Sequence, residues 1–431
     1  MKNISPWRYI PSLYFVEGLP YILINVVSGA LYTKLGVPND VFIFWTGCLY
    51  LPWILKMLWS PLVDGRSTKR RWLFLCQALS AAVFMFVAWS LGWQSFFAAS
   101  ILGLAAGAFI SATYDIATDG YYMLALSPQQ QGSFIGIRTI FYRIAMIFGG
   151  GPLLVFIGWL ETRTGNIALS WRLGFASMGV LLAVFTLYHA WTLPRPEQDR
   201  PVSAQNGLAV FADAFKTYFA QKNIVRILAF ILIYRLGDAM LEKIITPFLI
   251  GPAATGALAL STSQLGLIKG TLGLAAVIAG NLCGGWLLGK YGFKKCLWPF
   301  ALILILPNFF YVYMAFVRPG PIVAAVLITL EHFGNGLALM AFMVFIMYVS
   351  QGKYKTSHYA ISTGIMALGM MVPSMLSGKF QTALGYGPYF ILAALVSICT
   401  LAVIPQAFKI KSIEETEKAF KQHHIQIGDA D

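Results

Sequence analysis

Charge is what this sequence has least of. Only 11% of its residues are Asp, Glu, Lys or Arg, against about 25% in a soluble globular domain. So little charge cannot keep a chain of 431 residues in water. That excludes a soluble enzyme, a disordered scaffold and a nucleic-acid-binding protein. Cysteine is also scarce. Cys48, Cys76, Cys283, Cys296 and Cys399 form an odd set without a C-x-x-C pair, which gives zinc and redox chemistry little support and makes free, buried thiols the expectation. The patterns G-x-S-x-G, H-E-x-x-H and Walker A are all missing, so neither hydrolysis nor ATP drive by this chain is expected. No metal or cofactor is expected either. His189, His358, His423 and His424 are scattered or terminal. Acidic residues number 17 against 31 basic ones, a net charge of +14. Such an excess can mark nucleic-acid binding, but its placement gives a different reading.

What the chain does have is apolar length. Hydrophobic residues make up 58% of it and its mean hydropathy is +0.70. A helix needs about 20 apolar residues to cross a bilayer. Twelve runs qualify: span 1 Tyr9–Tyr32, span 2 Val41–Leu62, span 3 Trp72–Leu91, span 4 Phe96–Asp119, span 5 Phe134–Leu160, span 6 Leu173–Leu193, span 7 Ile224–Ile250, span 8 Ser263–Leu288, span 9 Cys296–Val317, span 10 Ile322–Ser350, span 11 His358–Leu384 and span 12 Pro388–Phe408. The first run contains Glu17 and Pro20 and lacks an A-x-A-like cleavage site, so it is expected to be a retained span and not a signal peptide. With both termini in the cytoplasm, 20 Lys and Arg residues fall in cytoplasmic segments. Four (Lys34, Arg163, Arg172 and Arg318) fall outside, and seven lie within spans. This is the positive-inside bias, and it accounts for the net charge without nucleic acid. The expectation is an all-α, multi-pass membrane protein. It has an N-terminal six-helix half (1–193), a cytoplasmic linker (194–223), a C-terminal six-helix half (224–410) and a cytoplasmic tail (411–431). The linker opens on a helix-breaking Pro-Arg-Pro-Glu-Gln-Asp-Arg-Pro run. Phe211, Phe215 and Phe219 then recur every four residues, which predicts an amphipathic helix over Val210–Gln221 on the inner membrane surface.

Six, a linker and six suggests two parallel repeats. The loop after span 2 reads Trp59-Ser-Pro-Leu-Val-Asp64-Gly-Arg66, then Lys69-Arg70-Arg71. Its counterpart after span 8 reads Gly285-Trp-Leu-Leu-Gly289-Lys290-Tyr-Gly-Phe-Lys294-Lys295. Both resemble the major facilitator loop motif G-x-L-x-D-R-x-G-R-[KR], with Gly289 where the acid belongs. Asp64, Arg66, Arg70 and Arg71 are therefore gating candidates.

A charge inside the membrane is expensive and points to function. The acids well inside spans are Glu17 on span 1, Asp115 and Asp119 on span 4, Asp238 and Glu242 on span 7, and Glu331 on span 10. They recur on every third helix. The resemblance to the major facilitator superfamily fold implies that spans 1, 4, 7 and 10 line a central cavity. Helical spacing sorts these residues into polar stripes: Tyr14, Glu17, Tyr21 and Asn25; Ser111, Asp115 and Asp119; Arg235, Asp238 and Glu242; Glu331 and Asn335, with His332 beside them. Arg235 can pair with Asp238 at i+3. Basic partners come from Arg138 and Arg143 on span 5 and Lys269 on span 8. Asp115 lies twelve residues before the turn at Ser127 and Arg138 eleven after it. At about 1.5 Å per residue they share a depth, which predicts an Asp115–Arg138 pair, either a helix clamp or part of the site. Asp119, nearer the cytoplasmic face, reads as a gate residue. Glu17 and Glu331 lack an evident basic partner close in sequence. A buried carboxylate in that position tends to stay protonated, so they lead as proton carriers, with Asp115 third.

Four segments carry a closer resemblance. Lys56-Met-Leu-Trp-Ser-Pro-Leu-Val-Asp64 looks like the span-2 signature of the AmpG-type muropeptide permeases and their acetyl-CoA transporter relatives. Tyr114-Asp115-Ile-Ala-Thr-Asp119-Gly120 resembles that family's Q-D-I-x-x-D-[GA], with Tyr114 in place of Gln. Tyr234-Arg235-Leu-Gly-Asp238, followed by Thr246-Pro-Phe-Leu249, resembles its span-7 motif. Leu330-Glu331-His332-Phe-Gly-Asn335-Gly336 resembles its span-10 segment, with His332 in place of Asn. The resemblance covers nearly the whole chain. It implies a non-enzymatic secondary transporter, driven by protons, importing a bulky polar or anionic solute such as an anhydro-muropeptide by alternating access, with one chain as the working unit. Expected solute contacts are Tyr14, Glu17, Tyr21, Asn25, Arg138, Arg143, Arg235, Asp238, Lys269 and Asn335. The alternatives are a same-fold permease for a siderophore or CoA ester, and a membrane receptor or assembly partner that transports nothing.

Overall fold

Eleven of the twelve spans fold as helical stretches long enough to cross a membrane, some with a local turn, and the seventh does not. The computed structural model describes residues 4–201, 207–350, 355–410, 413 and 415, the side chains at 61, 64, 128, 207–212 and 356 lying outside that description. Among the described residues there is no strand. Eleven helices are long and apolar enough to cross a membrane: Pro6–Lys34, Asn39–Leu58, Lys69–Ser90, Phe96–Ala125, Gln129–Thr164, Ile167–Thr192, Thr262–Tyr291, Phe293–Val317, Pro321–Val349, Ser357–Leu384 and Tyr386–Phe408. They are spans 1–6 and 8–12. Most extend past their sequence-predicted ends, because polar residues cap and prolong the helices beyond the apolar core.

Span 7 is three rods: Ile224–Ile233, Leu236–Leu241 and Ile245–Ile250. Arg235 leaves the helix at φ −117°, ψ 21°, and the second break precedes Pro247. A break in lipid leaves backbone carbonyls that must find donors. Here Thr400 Oγ1 donates to Tyr234 O at 3.0 Å, and Tyr389 Oη donates to Met240 O at 2.6 Å. Span 12 therefore repairs both breaks. Span 1 is perturbed differently. Pro20 lies inside its helix, and a wide π-type segment follows at Leu23–Val27, carrying Asn25. Span 8 has a comparable segment at Gly266–Gly273, carrying Lys269.

The chain forms two compact units: residues 1–205 with 249–251 and 260–271, and residues 206–248 with 252–259 and 272–431. In the first, span 3 packs on spans 4 and 6, and span 1 packs on span 5. The Asp199 carboxylate accepts from the Lys69 and Arg70 backbone amides at 2.6 and 3.0 Å. Tyr121 Oη holds Pro194 O at 2.8 Å. The start of the linker is thus a strap tied to the N-terminus of span 3, which Thr68 also caps. In the second unit, Phe230, Tyr234, Phe342 and Phe345 stack with centroids 3.9–6.1 Å apart. The linker helix runs from Gly207 to Phe219. It docks through Tyr218 on Ser362 (2.9 Å) and Thr217 on His358 (3.1 Å), leaving Phe215 and Phe219 exposed. Apart from residues 413 and 415, the tail lies outside the described residues.

Spans 8 and 10 approach backbone to backbone. A Cβ on Gly336 would lie 2.3 Å from Val277 O, and one on Gly280 2.1 Å from Phe333 O. Small residues let membrane helices meet this closely. Gly336→Ala is expected to pry the pair apart at a cost of about 1–3 kcal/mol, lowering the thermal midpoint and the monodisperse fraction on size exclusion. Gly285→Ala, which meets nothing within 4 Å, should leave both unchanged.

Candidate functional site

In the first unit, one charge cluster grows from spans 1, 4 and 5. Arg138 Nη1 donates to Asp119 Oδ1 at 2.9 Å and to Tyr14 Oη at 3.0 Å. Tyr14 Oη in turn donates to Asp119 Oδ1 at 3.0 Å. The guanidinium also stands over the Tyr14 and Tyr122 rings, at 5.3 and 5.1 Å. One turn along span 4, Asp115 takes its cation from span 2: it is ion-paired to Lys56. The predicted Asp115–Arg138 pair is therefore not formed. Depth counted on Cα positions ignored the direction of side chains, which lean toward the N-terminus of their helix. Arg138 leans toward the Ser127 turn and meets Asp119, and Asp115 is left to Lys56. Asp119, read as a gate residue, is the hub of this cluster.

Glu17 lies beside the Asp115–Lys56 pair and interacts electrostatically with both groups. It is 8% exposed, and its buried Oε2 accepts no hydrogen bond from the described residues. Two carboxyl groups thus face one ammonium. Sequence reasoning missed Lys56 as a site residue. The signal was present, a lysine inside span 2, but only the packing says which acid it serves. Arg143 contacts Met146 Sδ at 3.9 Å and has no carboxylate within ion-pair distance among the described residues. Tyr21 and Asn25 share span 1, and the Asn25 amide donates to Tyr21 O at 3.1 Å.

Beside the cluster lies a largely buried polar chain. His189 Nε2 meets Ser12 Oγ at 2.8 Å, and its Nδ1 meets the Gln77 amide at 2.9 Å. Gln77 Nε2 donates to Tyr114 Oη at 2.8 Å. Tyr114, which replaces the glutamine of the span-4 motif, thereby ties span 4 to spans 3 and 6.

In the second unit, Arg235, Asp238 and Asn335 close a triangle. Arg235 Nε donates to Asp238 Oδ2 at 3.3 Å, Arg235 Nη2 to Asn335 Oδ1 at 2.7 Å, and Asn335 Nδ2 to Asp238 Oδ2 at 3.1 Å. The i+3 pair read from sequence is present, and Asn335 of span 10 completes it. Glu331 has a neighbour that the sequence reading discounted: its Oε2 meets His332 Nδ1 at 2.5 Å and accepts from Tyr311 Oη at 3.1 Å. Glu242 is exposed, and Lys269, which belongs to the first unit, is half-buried. Of the gating candidates, the Asp64 side chain lies outside the described residues and Arg66 is exposed. Arg70 donates to Leu193 O (3.3 Å) and Ala190 O (3.4 Å) at the end of span 6, and the Arg71 amide donates to Thr68 Oγ1. Each unit therefore holds one arginine–aspartate pair with further carboxyl groups, Asp115 and Glu17 in the first and Glu331 in the second, suited to binding ions and polar solutes inside a membrane.

The family model described as Major Facilitator Superfamily matches residues 12–241. The chain belongs to the Major Facilitator Superfamily. It is a multi-pass membrane transporter and not an enzyme. "Anhydromuropeptide permease" of Escherichia coli (strain K12) is 26% identical over 407 residues, covering 91% of this chain and 77% of that one. "Putative transporter AmpG 4" of Rickettsia felis is 25% identical over 404 residues, covering 91% and 94%. These relatives agree with the AmpG-type resemblance carried by the four motifs. Among solved structures, the nucleoside transporter NupG superposes with a TM-score of 0.71 at 16% identity, covering 94% of this transporter and 100% of that chain. A D-xylose–proton symporter does so with 0.68 at 13% identity, covering 94% and 98%. At such identities they share the fold.

Proposed function

We propose that this transporter imports an anhydro-muropeptide across a bacterial inner membrane by alternating access, driven by protons, with both termini cytoplasmic and a single chain as the working unit. One observation carries the reading. Four acids of the AmpG-type motifs, spread over more than 200 residues of sequence, end in polar clusters within the spans, Asp115 and Asp119 in one unit and Asp238 and Glu331 in the other. A membrane anchor has no use for such costly groups, which counts against a receptor that transports nothing. The names of the relatives support this solute class. The 20-to-4 distribution of basic residues supports the orientation.

Within this reading, Glu17 carries the proton and Asp115 and Glu331 are its alternates. Asp64, Arg66 and Arg71 act in the cytoplasmic gate formed as the two six-helix halves, 1–193 and 224–410, rock. Arg143 binds the anionic end of the solute, because it is the span-5 arginine not committed to a carboxylate. Arg235, first expected to grip an oxyanion, has two of its donor groups occupied by Asp238 and Asn335, and it serves chiefly to neutralise Asp238. Uptake of a labelled disaccharide–peptide into inverted or right-side-out vesicles tests the proposal, run beside a ferric siderophore and a CoA ester. Saturable uptake of the disaccharide–peptide alone is expected. Uptake of either competitor in its place overturns the solute assignment. Arg143→Gln is expected to raise KM about tenfold or more, a loss of roughly 1.4 kcal/mol, and to leave a neutralised solute unaffected.

A further inference from the structure

Four large aromatic rings gather in the first unit without a role in the charge cluster. Tyr21 on span 1 meets Trp53 and Tyr50 on span 2 at centroid distances of 5.2 and 6.2 Å, and Tyr142 on span 5 at 6.3 Å. Tyr50 and Trp53 are near-parallel, 28° apart at 6.3 Å. Tyr21 stands across both, at 70° and 83°. All four are half-buried, whereas the core aromatics of the same unit, such as Phe84, Phe175 and Trp171, are fully buried. A half-open aromatic face in a membrane protein looks either at lipid or at a polar passage. Charge decides between the two. Lys56 follows Trp53 on the same stretch of span 2 and pairs with Asp115, and Tyr142 interacts electrostatically with Glu17 and Asp115. Charged groups do not face lipid at this depth. The quartet therefore borders the polar side of the unit.

We propose that Tyr21, Tyr50, Trp53 and Tyr142 form a subsite for a hexopyranose ring. The inference rests on the reading of a sugar-bearing solute above, and specifies which part of the solute this face holds. The near-parallel Tyr50 and Trp53 rings are too close to admit a guest between them, so together they offer a platform. Tyr21 is a wall. A platform with one wall suits the flat apolar face of a pyranose. The donors fit as well. Among the described residues, neither the Trp53 indole N–H nor the Tyr142 hydroxyl has a hydrogen-bond partner, and a ring rich in hydroxyl oxygens supplies acceptors for both. A quaternary ammonium, the other common guest of aromatic clusters, offers no acceptor for either donor.

The test uses the full-length transporter in detergent and in proteoliposomes, with N,N′-diacetylchitobiose as a sugar probe that carries no peptide. Chitobiose is expected to raise the thermal midpoint and to inhibit counterflow of the labelled disaccharide–peptide. Trp53→Ala should weaken both effects about tenfold or more, the loss of one stacking platform. Trp53→Phe should retain part of the platform, and the midpoint measured without ligand checks that each variant folds. Tyr142→Phe should weaken chitobiose less than Trp53→Ala does. If chitobiose shifts nothing while the disaccharide–peptide is still carried, the subsite is refuted and the transport reading stands. If chitobiose binds in a Trp53-dependent way and the disaccharide–peptide is not carried, the transport reading falls and the subsite stands. Competition by tetramethylammonium in place of chitobiose also overturns the proposal.

Discussion

Replacing Glu17 by glutamine is expected to separate solute exchange from solute accumulation. Glu17 and Asp115 present two carboxyl groups to the single ammonium of Lys56, so the group carries a surplus negative charge unless one proton is bound. A bare carboxylate left in a dry interior costs several kcal/mol, and protonation removes that cost as the passage closes. Glutamine copies the protonated form and cannot release the proton. Counterflow, which needs no net proton movement, should therefore persist in Glu17→Gln. Uphill uptake should collapse. Under an imposed step of one pH unit, one proton per solute supports up to about tenfold accumulation in the native protein, and the variant should only equilibrate. Proteoliposomes loaded for both assays read the two activities side by side. A split seen in Glu331→Gln and absent from Glu17→Gln would move the carrier to the second unit. Accumulation that survives a protonophore would refute proton coupling altogether.

The second large effect is expected at Asp238. Asp238 is 6% exposed and is ion-paired to Arg235. Asp238→Ala strands a buried guanidinium on a broken helix, and breaking a buried pair in this way costs about 3–5 kcal/mol. Little folded transporter should remain after extraction, and its thermal midpoint should fall sharply. Arg235→Leu combined with Asp238→Leu removes both charges together and should recover most of the folded protein, because the penalty lies in the orphaned partner. The double variant is expected to stay inactive. If it transports normally, the Arg235–Asp238–Asn335 triangle is a structural clamp and nothing more.

The positions of these groups were legible in the sequence; their partners largely were not. Acids in apolar runs stand out one by one, so Glu17, Asp115, Asp119, Asp238 and Glu331 could be picked directly. Arg235 and Asp238 sit three residues apart, so their pairing followed from helical spacing. Asp115 and Arg138 lie on different helices, and a count of residues from the turn placed their backbones at one depth without placing their side chains. Lys56 entered the site through the packing of span 2 on span 4, which no local pattern encodes. Hydropathy treats span 7 as one apolar run and is blind to its breaks. The sequence hint was Gly237 and Pro247, and only the donors Thr400 and Tyr389, some 150 residues further on, show how the breaks are tolerated. The strap that begins at Pro194 read as polar spacer because a capping aspartate 130 residues from its amide leaves no local trace.

The segmented seventh span sets how that helix can flex. An unbroken helix resists bending because every turn is closed by its own hydrogen bonds. Here the bonds across residues 234–235 and 242–244 are already surrendered, and their carbonyls answer to hydroxyls on span 12. A middle rod of six residues, Leu236–Leu241, can then pivot like a short lever between two joints while the rods above and below keep their place. Arg235 and Asp238 ride at one joint and on the lever, so any swing of the lever displaces the charge pair directly. Amide exchange should therefore be fastest at the joints and slow within the rods, and Thr400→Val should quicken exchange at the upper joint without melting the helix on either side.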